Sequence, residues 1–129
     1  MFKIIHKWLK TGIVTTTYPD KAPQISEYSR GRPSFDFERW QDSRPAADVC
    51  PTGAISLRDD GRSRNVTVDY GLCTYCGQCA DAAPGNAVWM TQEFELATTR
   101  RNKLVHNAEY DLNADGTQKW RATHSETDQ

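Results

Sequence analysis

The sequence predicts an α+β fold: a small core of two similar halves related by a pseudo-twofold axis, with an N-terminal helix and extended N- and C-terminal arms. Three observations carry that expectation. Cys73, Cys76 and Cys79 stand at C-x2-C-x2-C spacing, and Ala83-Pro84 follows where a Cys-Pro pair would close the run. The remaining cysteine, Cys50, is followed by Pro51, and counting back from it at the same spacing reaches Ala46, Ser43 and Trp40. A short strand-forming stretch follows each copy, at residues 54–57 and 87–90.

The spacing C-x2-C-x2-C-x3-C-P belongs to bacterial ferredoxins, where the fourth cysteine of one run ligates the other cluster in two-cluster proteins. Here the two copies are degraded in complementary ways. The first kept only its fourth cysteine and the second only its first three. Under cross-ligation the survivors form one complete set, so Cys50, Cys73, Cys76 and Cys79 are the expected ligands of a single [4Fe-4S] cluster. Trp40, Ser43, Ala46 and Ala83 occupy the ligand positions of a second cluster, expected to be lost as a unit. Structural zinc also takes four cysteines, but usually as two C-x2–4-C pairs, which a triplet with a remote Cys-Pro fits poorly. Disulfides suit the crowded triplet less well still.

Composition bounds the remainder. Leu, Ile, Val and Phe make up 21 of the 129 residues, below the ~20 per cent typical of well-cored domains. The net charge of -1 does not drive disorder by itself. A thin core held by an inorganic cluster, with segments ordered on a partner, is the expectation. No apolar run is long enough to span a bilayer, and lysines interrupt the apolar start as they would not in a signal peptide.

In chain order, residues 1–12 predict an amphipathic docking helix closed by Gly12. Phe2, Ile5, Trp8 and Leu9 form its apolar stripe, with Lys3, His6, Lys7 and Lys10 mostly opposite. Such a helix suits a membrane surface or a partner's groove, or else folds back on its own domain. Residues 13–39, punctuated by Pro19, Pro23, Gly31 and Pro33, predict an extended arm, with Ser-Arg-Gly-Arg-Pro as a solvated or partner-facing turn. The core is expected at 40–91: a helical turn at 46–49, a strand at 54–57, a turn at 59–62, a returning strand at 65–69 with Val66 and Val68 on one face, helix at 77–82 and strand at 87–90. Trp40, the largest side chain at the vacated positions, is expected to turn inward near Ala46 and Ala83. Residues 92–129 predict a polar C-terminal extension, mobile or strapped to a neighbour, anchored only by Tyr110, Leu112 and Trp120.

Lys-Thr-Gly-Ile-Val-Thr-Thr-Thr-Tyr-Pro, Tyr-Ser-Arg-Gly-Arg-Pro, the two cysteine copies and Thr-Gln-Glu-Phe-Glu-Leu-Ala together resemble the ferredoxin-like electron-transfer subunit of membrane-bound group 4 [NiFe] hydrogenases and its counterpart in complex I. The resemblance covers about residues 10–110. It implies a bacterial ferredoxin-like core, a peripheral place on the cytoplasmic face of the inner membrane, and a hetero-oligomer with hydrogenase-type small and large subunits and membrane-arm subunits. Family members normally carry two [4Fe-4S] clusters, and this chain departs from them at Trp40, Ser43, Ala46 and Ala83.

The expected function is therefore non-catalytic electron relay through one [4Fe-4S] cluster. A soluble single-cluster carrier, or a scaffold with a purely structural cluster, are the alternatives. The sequence offers no separate catalytic group, because His106 and His124 lack a neighbouring acid or nucleophile at motif spacing. Nor do its basic residues carry the aromatic interleaving of a nucleic-acid face.

Overall fold

A computed structural model describes residues 2–12 and 15–125. Helix α1 (Phe2–Thr11) ends where Gly12 takes a left-handed φ of 65° and its N–H returns to the Trp8 carbonyl at 3.2 Å. None of its residues is buried, so it does not fold back onto the core. Strand β1 (Pro33–Phe35), helix α2 (Arg44–Asp48), strands β2 (Ile55–Asp60) and β3 (Ser63–Asp69), helix α3 (Gln78–Ala82) and strand β4 (Val88–Met90) follow. β5 (Val105–Leu112) and β6 (Gln118–Ser125) complete the chain. The result is the expected α+β arrangement, in two antiparallel sheets: β1 with β4, and β2-β3-β5-β6 in that order.

The two similar halves are visible in the element order. Each copy of the cysteine pattern leads into a short helix and then a strand, α2 to β2 and α3 to β4. Alternation along β3 puts Val66 and Val68 inside, at 0% and 2% exposure, as a half-buried strand requires. β1 lies within the stretch 13–39 and pairs Phe35 with Val88, so the end of that stretch belongs to the core.

The C-terminal stretch differs most from its expectation. Residues 105–125 form a hairpin that adds two strands to the central sheet instead of a mobile tail. Its turn, Asn113 to Thr117, is closed by the Asn113 N–H to the Thr117 carbonyl at 2.9 Å, with Gly116 at a φ of 85°. Tyr110 supplies the anchor, fully buried with its hydroxyl donating to the Phe37 carbonyl at 2.9 Å. The strand positions are polar because one face of an antiparallel sheet can remain in water.

Candidate metal centre

The structure treats the two ligand sets differently. Trp40, Ser43, Ala46 and Ala83 are all buried, at 1%, 0%, 0% and 9% exposure. Trp40, Ala46 and Ala83 belong to one core cluster, and the Trp40 ring meets Phe35 with centroids 5.4 Å apart. Among the described residues its indole N–H has no hydrogen-bond partner. Ser43 is hydrogen bonded, its hydroxyl donating to Gln118 Oε1 at 2.8 Å. Arg64 Nη1 donates to the same oxygen at 3.2 Å, while Gln118 Nε2 donates to the Trp40 carbonyl at 2.7 Å.

The other four positions surround a space. Cys50, Cys73, Cys76 and Cys79 line one pocket, walled by Pro33, Phe35, Ile55 and Val68. Cys50 arrives from the loop after α2, Cys73 and Cys76 from the loop before α3, and Cys79 from α3 itself. Among the described residues no three His, Cys, Asp or Glu side chains converge as ligands of a single ion do. Zinc needs four sulfurs about 2.3 Å from one point. In a [4Fe-4S] cube each thiolate meets a different iron, and four thiols lining a common pocket are a donor set that fits such a cube.

The loop between the ligands is shaped backbone. Tyr75 holds a φ of 56° and Gly77 one of 85°, both in the left-handed region. A left-handed tyrosine costs free energy that a tight, over-determined loop absorbs. It brings the Tyr75 N–H to Cys73 Sγ at 3.4 Å, the kind of N–H···S bond that tunes a cluster.

Cys50, Cys73 and Cys79 are shifted in different directions. Burial pushes Cys79 up to about 11, and the neighbouring Cys73 and Cys76 thiols add to the rise. Cys73 is raised too, mainly by burial and partly offset by the Tyr75 N–H. Burial also acts upward on Cys50, but hydrogen bonds from the Ile55 and Thr52 N–H groups, the Thr52 hydroxyl and the Ala54 N–H outweigh it, and its thiol is lowered. Iron binding must displace these protons, and its charge offsets the cost of burying thiolates.

Two contributors lay beyond the sequence reading. Arg30 Nη1 donates to the Cys76 carbonyl at 2.7 Å, and Arg32 pairs with Glu93 at 2.5 Å while lying over the Tyr70 ring. The Arg-Gly-Arg stretch therefore makes contacts with its own core, while Arg30 itself remains exposed. Gln118 was the second. Asp115-Gly116 between alternating stretches was a hairpin signal that could have revealed its strand.

No protein-family model matches the chain. Curated proteins do. The chain is 32% identical over 111 residues to NADH-quinone oxidoreductase subunit I 2 of Streptomyces coelicolor, covering 72% of this chain and 55% of that protein. It is 29% identical to the protein of the same name from Geobacter metallireducens, covering 78% of this chain and 82% of the relative. It is 26% identical to formate hydrogenlyase subunit 6 of Escherichia coli, covering 87% and 63% respectively. The chain thus spans little more than half the length of some of the relatives it matches.

Proposed function

We propose, from the similarity to subunit I of the NADH-quinone oxidoreductases and to formate hydrogenlyase subunit 6, that this chain is an iron–sulfur electron-transfer subunit of a hydrogenase or complex I-like assembly. In this reading it carries one [4Fe-4S] cluster on Cys50, Cys73, Cys76 and Cys79. The observation that carries the reading is the contrast between the halves: four cysteines around one pocket, and a packed core at the four alternative positions.

The bound cluster supplies one-electron chemistry. This chain's residues supply the rest. Two loops and α3 hold the four thiols, Pro33, Phe35, Ile55 and Val68 keep water from one side, and N–H groups at Cys50 and Cys73 favour the thiolate. The chain binds no substrate of its own. It gives and takes electrons through neighbours, with hydrogenase-type small and large subunits and membrane-arm subunits as the partners.

Helix α1 favours a docked subunit over a diffusing carrier. Phe2, Trp8 and Leu9 are exposed at 89%, 70% and 68%, and a shuttle gains nothing from such a face. No described helix is long and apolar enough to cross a membrane, so attachment in this reading is peripheral. Purifying a tagged chain from its native host tests the proposal. Recovery with large and small hydrogenase-type subunits is the expected result; an iron-loaded chain that runs alone would instead make it a soluble carrier.

A further inference from the structure

The loop that presents Cys73 and Cys76 is gripped from outside by one arginine. Arg30 Nη1 donates to the Cys76 carbonyl at 2.7 Å. The same nitrogen lies 3.5 Å from where a Cβ on Gly77 would stand, so the guanidinium packs over the Cys76–Gly77 peptide. Among the described residues no carboxylate pairs with it, whereas Arg32, two residues on, is matched by Glu93.

The backbone aims this side chain. The Gly31 N–H donates to the Thr91 carbonyl at 2.7 Å, and the Arg32 N–H to the Glu93 carbonyl at 2.9 Å. A Cβ at Gly31 would stand 2.3 Å from the Glu93 carbonyl oxygen, so only glycine allows the arm to lie this close. The arm is therefore fixed immediately after Arg30, at a distance that lets its side chain reach the ligand loop.

We propose that Arg30 is a positioning residue for the redox centre: it holds the Cys76–Gly77 turn and places an unneutralised positive charge beside it, raising the cluster's reduction potential. The inference rests on the single-cluster reading above. A cluster gains negative charge on reduction, and net charge around it is among the determinants of its potential. A nearby cation stabilises the reduced form. Arg30 is exposed, so added salt weakens the effect in the isolated chain.

Anaerobic reconstitution of the full chain, followed by redox titration watched by absorbance, tests this. Wild type is loaded first; a chain that takes up no iron–sulfur cluster sinks the functional reading itself and is recognised before any variant is compared. With loading established, Arg30→Gln should load equally but titrate at a lower potential, and Arg30→Lys should stay near wild type. High salt should narrow the gap between wild type and Arg30→Gln. An unchanged potential in a fully loaded Arg30→Gln overturns the proposal, as does an equal fall in Arg30→Lys. Should Arg30→Gln not load, Arg30→Met takes its place under the same criteria. Loss of the cluster in both neutral variants with normal loading and potential in Arg30→Lys supports the role of the charge, and loss in all three overturns it.

Discussion

Ser43 and Gln118, 75 residues apart, meet through the Ser43 hydroxyl and Gln118 Oε1 at 2.8 Å. Through that bond the stretch before α2 is tied to β6. Gln118 also receives Arg64 and donates to the Trp40 carbonyl, and its own N–H donates to the Gln41 carbonyl at 2.9 Å. A polar side chain from β6 thus fixes the stretch that carries three of the vacated positions.

Gln118→Ala removes acceptors and donors from groups that stay buried. Leaving such groups unsatisfied costs about 1–3 kcal/mol. The urea midpoint should fall accordingly, while the visible spectrum of the loaded chain remains unchanged, because Gln118 does not line the cysteine pocket.

Trp40→Ala should cost about 3–5 kcal/mol, the range for emptying a buried aromatic position. The expected phenotype is loss of stability with the iron content of wild type. A Trp40→Ala chain as stable as wild type would show that the ring does not fill the vacated half.

Acid should act on the same region. The hydrogen bond from Arg64, assisted by the charges of Arg64 and Arg44, outweighs burial and holds the Asp59 carboxyl below the usual range. A carboxylate with a depressed folded-state pKa contributes stability that is complete above its unfolded pKa, about 4, and disappears as pH falls through the folded value. Urea midpoints measured downward from about pH 6 should therefore fall less steeply in Asp59→Asn than in wild type. Equal slopes would remove this pair from the account.

Deleting residues 1–10 should release the chain from its membrane fraction without bleaching it. No residue of α1 is buried, and it contributes nothing to the cysteine pocket. Fractionating tagged full-length and truncated chains checks this, and equal retention would argue against docking through α1.

That Cys50 would share a pocket with the triplet was legible from the repeated motif spacing. So were the Gly12 stop of α1 and the Val66–Val68 face of β3, each set by neighbours in sequence. The inward turn of Trp40 was legible on volume alone. The hairpin at 105–125 was not, since its burial depends on pairing with β3 some 40 residues earlier, as at Thr67 and Asn107, and its key inward group, Gln118, is polar. The Cys76 contact of Arg30 was hidden for the same reason: the residue is exposed, as a charged residue in a Gly-Pro-rich arm is expected to be, and only the fold brings that carbonyl to it.

The central claim is that Cys50, far from the triplet in sequence, completes one cluster. Quantifying iron and sulfide in anaerobically reconstituted wild type and Cys50→Ala tests it most directly. The account predicts about four irons per wild-type chain and loss of the [4Fe-4S] spectrum in Cys50→Ala, as severe as in Cys76→Ala. About eight irons in wild type, zinc in place of iron, or an intact [4Fe-4S] spectrum in Cys50→Ala would contradict it.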